Sequence, residues 1–123
     1  MNLNLSSLNH SFIIDIDGTI FKHNGHLDGE DSLLDGVIEF WQKIPVSDFI
    51  LLLTSRKEKF KQTTENALKK NGLRFDLIIY DVPTGERVLI NDAKPSGLKT
   101  AHAINLKRNE GFGNRKIVIN SNM

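Results

Sequence analysis

Two aspartates separated by one residue lie at the end of an apolar run near the start of the sequence. Asp15 and Asp17 follow residues 11–14 (SFII), and Gly18 and Thr19 come directly after them. Because side chains alternate along a strand, both carboxylates begin on the same side and converge where the strand breaks at glycine. Two carboxylates this close repel each other, and a Mg²⁺ ion bound through their oxygen atoms removes the conflict. The pair therefore predicts a magnesium site.

The same pair suits phosphoryl transfer. One carboxylate can attack a phosphorus atom as a nucleophile while the other exchanges protons with the leaving group. The backbone N–H groups of Gly18 and Thr19 are expected to be free to hold phosphoryl oxygens. The alternative interpretation is that Asp15 and Asp17 only cap a turn, because Asp-Gly turns are frequent.

Two hydroxyl residues follow the next apolar run. Thr54 and Ser55 come directly after residues 49–53 (FILLL) and precede a charged helical pattern. A hydroxyl at the junction of a strand and a helix N-terminus can donate to a phosphate oxygen. Either residue can instead be the N-cap of that helix. Both interpretations hold together if Ser55 caps the helix and Thr54 binds phosphate.

A further acid and a lysine follow a third apolar run. Asn91 and Asp92 come after Val88-Leu89-Ile90, and Lys94 lies two positions beyond Asp92. An acid there would complete the Mg²⁺ site, and the lysine would neutralise negative charge on phosphate. The alternative is a polar turn leading into residues 95–97 (PSG). An acid pair, a hydroxyl and an acid at the ends of separate strands favour one shared site over unrelated turns.

Short apolar runs and longer amphipathic patterns alternate along the chain. The runs predict strands at residues 11–16, 48–54, 75–80 and 87–91, and the patterns predict helices at 33–43 and 57–71. Residues 98–106 fit either a helix or a strand, with a strand favoured around 101–105, and residues 116–119 fit either a short strand or a helix-free tail. Strands that are apolar on both faces and separated by helices are typical of an α/β fold with a mainly parallel sheet flanked by helices. In such folds the reactive groups lie beyond the carboxyl ends of the strands.

Length and composition restrict the protein class further. The 123 residues fit one domain over 1–123, with residues 1–10 expected to form a flexible arm. The absence of cysteine excludes a disulfide framework, a cysteine nucleophile and thiolate zinc sites. A net charge of +1 argues against nucleic acid as the main partner. No apolar run approaches the ~20 residues that span a bilayer, and no signal peptide is visible, so a cytoplasmic protein without a membrane partner is expected.

The three motifs together resemble those of haloacid-dehalogenase-like (HAD) phosphohydrolases. Residues 15–19 (DIDGT) match the family's D-x-D-G-T signature, residues 51–56 (LLLTSR) look like its second motif, and residues 88–92 (VLIND) resemble its fourth. The similarity covers residues 12–106. It implies a Rossmann-like, HAD-type fold and an Mg²⁺-dependent phosphohydrolase.

The resemblance also implies a role for each motif residue. Asp15 would be the nucleophile and a Mg²⁺ ligand. Asp17 would be the general acid/base and would give the metal its backbone carbonyl. Thr54 would hydrogen-bond the transferring phosphoryl group, and Asp92 would bind Mg²⁺ from the far side.

The family's third motif is a lysine, for which this sequence offers three candidates. Lys94 is favoured because it stays close to the predicted strand end, whereas Lys69 and Lys70 are expected to be solvated on a helix face. Residues 83–95 also resemble a small HAD-like subgroup that is often associated with capsule or surface-sugar synthesis.

The spacing of the motifs leaves no room for an inserted cap domain. Residues 21–31 are expected to form a flap beside the nucleophile, with His23 and His26 as exposed polar groups. An open site suits a bulky phosphorylated substrate, or a small phosphorylated metabolite screened by a second subunit of a homo-oligomer.

Three functions compete. The leading one is an Mg²⁺-dependent phosphomonoester hydrolase that acts through an aspartyl-phosphate on a sugar phosphate or related small metabolite. The second is a receiver-like phospho-acceptor, in which Asp81 at the end of the third strand would carry the phosphoryl group. The third is a catalytically weak, Mg²⁺-binding assembly subunit. Fold-level analogy does not decide among them.

Overall fold

The protein is a small α/β structure, described for residues 2–123 by a computed structural model. Its strands are β1 (Asn2–Leu5), β2 (Ser11–Asp15), β3 (Phe49–Leu53), β4 (Leu77–Ile79) and β5 (Lys116–Ile119), and its helices are α1 (Gly25–Asp28), α2 (Val37–Lys43) and α3 (Lys61–Lys70), with a 3₁₀ turn at Glu58–Phe60. No helix within residues 2–123 combines the length and the apolar character needed to cross a membrane.

The strands form two parallel sheets. The central sheet has the order β2-β3-β4, with Ile13 opposite Leu51 and Leu51 opposite Leu77. Helix α2 lies between β2 and β3 in the sequence, and α3 lies between β3 and β4, as parallel pairing requires of its connections. The second sheet pairs β1 with β5. The predicted parallel α/β class is therefore confirmed.

Alternation along the strands divides the central sheet into a core face and an open face. The core face carries Phe12, Ile14, Ile50 and Leu52, which share one hydrophobic cluster with Val37, Phe40 and Trp41 of α2 and Leu68 of α3. The opposite face carries Ile13, Phe49, Leu77 and Ile79, all of which are exposed. Asp15 shares the alternation phase of Ile13 and so belongs to the open face. Helices thus cover one side of this sheet, whereas the apolar runs predicted helices on both.

Helix boundaries differ from the predicted ones where glycine and local pairing intervene. The apolar pattern predicts a helix from residue 33, but α2 begins at Val37 because Gly36 has a left-handed φ of 75°. Leu33 instead forms an isolated antiparallel bridge with Phe21. The predicted helix 57–71 begins with the 3₁₀ turn and ends as expected before Gly72, whose φ is 69°.

The strand predicted at residues 87–91 is wrong. Val88 and Ile90 are 81% and 88% exposed, and within the described residues no backbone hydrogen bond joins 87–91 to a neighbouring strand. The segment predicted as a strand around 101–105 is also irregular. β-branched composition reports how well a residue fits a pleated surface, and it does not supply the neighbouring strand that pairing requires.

The two ends of the chain pack together. Residues 2–5 form β1 where a flexible arm was predicted, and residues 116–119 form its partner β5. Phe112, which precedes β5, is buried against Phe40 with ring centroids 4.6 Å apart. A Cβ atom added at Gly36 would overlap the backbone of Gly113, so this approach requires glycine.

The exposure difference between two isoleucines tests this fold. Ile50→Ala removes a fully buried side chain of the central strand and is expected to lower the free energy of unfolding by about 2–5 kcal/mol. Ile90→Ala removes an exposed side chain and is expected to change it by no more than about 0.5 kcal/mol. Urea denaturation measures both. A large loss for Ile90→Ala would mean that residues 87–91 form a buried strand after all.

Candidate active site

The candidate site is part of a cavity of about 1570 Å³ that runs along β2 and includes its carboxyl end at Asp15. Six of the predicted site residues line it: Asp15, Asp17, Thr19, Ser55, Asp92 and Lys94. The cavity also receives side chains that the motif pattern did not single out, among them His26, Arg56 and Arg87. The structure therefore brings most of the predicted residues to one concave surface.

Asp15, the last residue of β2, has a partner on each of its carboxylate oxygens. Oδ2 accepts a hydrogen bond from the Thr19 hydroxyl at 3.1 Å, and Oδ1 accepts one from Arg87 Nη1 at 2.9 Å. The side chains of this ion pair are 35% and 36% exposed, so water reaches both partners. Exchange of Arg87 for another partner therefore does not require the core to open.

Asp17 binds a different and deeply buried cation. Arg56 Nε lies 3.3 Å from Oδ1 and 3.0 Å from Oδ2 of Asp17, and Nη2 lies 3.0 Å from Oδ1. The other edge of the same guanidinium donates from Nη2 to Asp31 Oδ1 at 2.7 Å and from Nη1 to Asp31 Oδ2 at 3.1 Å. Planar guanidinium groups match carboxylates in this two-point geometry.

Two further contacts complete the surroundings of Arg56. Nη1 donates to the Thr64 hydroxyl of α3 at 2.9 Å, and the guanidinium carbon lies 5.8 Å from the centre of the Phe21 ring. Burial lowers the pKa of Arg56, but hydrogen bonds to Asp31 and Asp17 outweigh it and leave that pKa raised. Arg56 is thus a permanent cation that joins the turn after β2, the flap and α3.

His26 is buried, although the flap histidines were predicted to be exposed. Its side chain is 5% exposed and packs edge-to-face on Phe60, with ring centroids 4.9 Å apart. Its Nδ1 lies 3.7 Å from Asp17 Oδ1, which is too long for a hydrogen bond. Burial and the neighbouring Arg56 charge lower the pKa of His26, so the ring is neutral at neutral pH.

The turn after Asp17 uses its own backbone donors. The Gly18 N–H donates to the Phe21 carbonyl at 2.7 Å, and the Thr19 N–H donates to the Ile16 carbonyl at 3.2 Å. The prediction that these N–H groups are free to hold phosphate is therefore wrong for this conformation. Gly18 has a φ of 81°, which favours glycine, and its carbonyl accepts from the Asn109 N–H at 3.0 Å.

The two hydroxyl residues after β3 have different environments. Thr54 is buried, and its Oγ1 accepts a hydrogen bond from the Arg56 N–H at 3.0 Å, so its hydroxyl orients the loop that carries Arg56. Ser55 lines the cavity. Neither residue caps the following helix, because the N-cap positions are Lys57 for the 3₁₀ turn and Phe60 for α3, without side-chain cap bonds.

The remaining predicted residues lie in irregular segments or on exposed helix surface. Asp92 is exposed, and its carbonyl accepts a hydrogen bond from Thr100 Oγ1. Lys94 is also exposed, as are Lys69 and Lys70 on α3, in agreement with the predicted solvated helix face.

The predicted metal-ligand set is only partly assembled. Asp15 and Asp17 supply carboxylate oxygens, the ligand type that Mg²⁺ prefers. Within residues 2–123, however, no three Asp, Glu or His side chains are grouped closely enough to hold a metal ion. Asp92 therefore shares the cavity with the acid pair without completing a three-ligand group.

Sequence reasoning missed the partners of the two acids. Arg56 lies in the Thr-Ser-Arg segment directly after a strand end, and this position was the available signal. Asp31 and Arg87 gave no signal, because each meets its partner only through folding, across 25 and 72 positions respectively.

The different burial of Arg56 and Arg87 predicts different losses of stability when either charge is removed. Arg56→Met would leave the buried Asp31 carboxylate, which is 1% exposed, without its cation, so the free energy of unfolding is expected to fall by about 3–5 kcal/mol. The matched control Arg87→Met removes a half-exposed pair and is expected to cost less than about 1 kcal/mol. Urea denaturation measures the free energy of unfolding of both variants and of the wild-type protein. Equal costs would contradict the proposed difference in burial.

The chain matches no protein-family model, no curated protein and no solved structure. Its function must therefore be inferred from the chemistry of the site. The structure establishes a small α/β protein in which two neighbouring acids at one strand end, each held by its own arginine, face a common cavity.

Proposed function

We propose that this protein is a phosphomonoester hydrolase of the HAD-like type that works through an aspartyl-phosphate. The observation that carries the proposal is the placement of Asp15: a nucleophile candidate at the carboxyl end of a parallel strand, facing a large cavity and paired with a half-exposed arginine. An anion-binding arginine beside a carboxylate is the arrangement that a phosphate ester requires, because the substrate brings negative charge to an already negative nucleophile.

The reaction assigns one step to each acid. A carboxylate oxygen of Asp15 attacks phosphorus and the bond to the leaving oxygen breaks, while Asp17 delivers a proton to that oxygen. The products of this step are an aspartyl-phosphate and the free alcohol. Asp17, now ionised, then removes a proton from the water molecule that attacks the aspartyl-phosphate, and inorganic phosphate leaves.

Arg87 is the residue proposed to receive the phosphate. It already binds Asp15 Oδ1 at 2.9 Å, and its partial exposure allows the guanidinium to move from the carboxylate to a phosphoryl oxygen. This transfer would free the nucleophile at the moment the substrate binds. Arg56 is unsuited to the same role, because its donors are occupied by Asp17, Asp31 and Thr64 in a buried network.

Mg²⁺ is the proposed cofactor. Asp15 would hold it through its carboxylate and Asp17 through its backbone carbonyl, with Asp92 as the proposed third ligand. When bound, the ion would neutralise charge on the phosphoryl group and its nucleophile.

The proposed substrate is a small phosphorylated metabolite, such as a sugar phosphate. A cavity of about 1570 Å³ exceeds the 300–1,000 Å³ usual for small ligands, which suits a bulky substrate or a site narrowed by a second subunit. The resemblance of residues 83–95 to the capsule-associated subgroup supports a role in surface-polysaccharide synthesis.

Replacement of the nucleophile tests the reaction. Asp15→Asn is expected to lower kcat/KM for p-nitrophenyl phosphate in the presence of Mg²⁺ by about 10³-fold or more, because the amide cannot form the acyl-phosphate. Released nitrophenolate measures the rate, and Asp28→Asn, an exposed acid of α1, is the matched control. Equal turnover by wild type and Asp15→Asn would exclude the proposal. Mg²⁺ binding without turnover in the wild type would favour the assembly-subunit alternative.

A second comparison identifies the cation that binds phosphate. Arg87→Gln is expected to lower kcat/KM for the same substrate by about 10–100-fold, because it removes the guanidinium that contacts Asp15. Lys94→Gln removes the cation favoured by sequence and is expected to cost less than about threefold, since this exposed side chain makes no ion pair within the described part of the chain. Steady-state kinetics give kcat/KM for the two variants and for the wild-type protein. The reverse order of losses would assign phosphate binding to Lys94.

A further inference from the structure

His26 contains a buried polar atom that the described contacts leave without a partner. Nδ1 has no hydrogen bond to any group within residues 2–123, and water does not reach it. A buried polar atom without a hydrogen bond destabilises the folded state by about 1–3 kcal/mol compared with one that has a partner. Buried polar groups of native proteins are nearly always paired, so an exception at the wall of a candidate active site requires an explanation.

The nearest acceptor to this atom is the proposed acid/base. Nδ1 lies 3.7 Å from Asp17 Oδ1, so a movement of less than about 1 Å would form an N–H···O hydrogen bond. Edge-to-face packing on Phe60 limits the ring to small movements of this kind. Besides Asp17, the titratable or charged groups facing the ring are Arg56, Asp31 and His23. Burial and the Arg56 charge lower the pKa of His26 against the opposing effect of Asp17 and Asp31, so the ring is neutral and one ring nitrogen carries a proton.

The two oxygens of Asp17 differ in how many donors reach them. Oδ1 accepts from Arg56 Nη2 at 3.0 Å, with a longer contact to Nε at 3.3 Å, and it is also the oxygen that faces His26. Oδ2 accepts from Arg56 Nε alone, at 3.0 Å. Oδ1 is therefore the oxygen on which donors of both Arg56 and His26 converge.

We propose that His26 is a positioning residue for Asp17: its Nδ1–H donates to Oδ1 when substrate fills the cavity and fixes the orientation of that carboxylate against Arg56. This inference rests on the proposed function. His26 itself gains and loses no proton in this role.

Two substitutions separate positioning from packing. His26→Leu keeps an apolar side chain against Phe60 but removes the donor, and it is expected to lower kcat for p-nitrophenyl phosphate by about 10–100-fold with KM within about threefold. His26→Asn places an amide N–H near the position of Nδ1 and is expected to recover kcat to within about threefold of wild type. Asp28→Asn, which changes an exposed residue outside the cavity lining, is the control. Wild-type kcat in the leucine variant, or equal losses in both folded variants, would overturn the inference.

A second measurement does not depend on turnover. The ¹⁵N shifts of the His26 ring, assigned by their loss in His26→Leu, report which nitrogen is protonated. We expect the proton on Nδ1 in the wild-type protein with inorganic phosphate added, and a proton on Nε2 would overturn the inference. If the proposed hydrolase activity fails, Asp15→Asn and wild type turn over equally, and the ring shifts still decide the contact between His26 and Asp17.

Discussion

The guanidinium of Arg56 lies between two carboxylates in a part of the protein that water does not reach. Transfer of an ion out of water costs several kcal/mol, and this cost is offset only when each hydrogen-bonding group finds a partner. Asp17, Asp31 and the Thr64 hydroxyl provide those partners from three separate parts of the chain. The position of the acid pair after β2 therefore depends on the flap and α3 folding around this one cation.

The two arginines of the site differ in their exposure to solvent, and this difference gives them different roles. Arg56 holds Asp31 permanently, because separation of the pair would leave unpaired charges in the interior. Arg87 holds Asp15 at a half-exposed position, where water can replace either partner at small cost. Arg56 thus keeps the geometry of the site fixed, while Arg87 can exchange its carboxylate partner for an anionic ligand.

Local patterns predicted the central sheet and the location of the acid pair, because apolar runs and a strand-ending Asp-Gly are properties of neighbouring residues. The prediction failed where a partner distant in sequence decides the outcome. Residues 87–91 have strand composition but no pairing strand. Arg56 resembles any charged residue after a strand until folding places Asp17 and Asp31 against it. Composition cannot show which carboxylate a buried cation will meet.

The pairing of β1 with β5 has a consequence for biosynthesis. Asn2 lies opposite Lys116, so β1 finds its hydrogen-bonding neighbour only after the residues of β5 have also been translated. Phe112, which covers Phe40 and Trp41, is also made late. Contacts between such distant residues slow folding. The nascent polypeptide therefore carries Phe40 and Trp41 without their aromatic neighbour until Phe112 has been made, and exposed apolar surface of this kind favours aggregation.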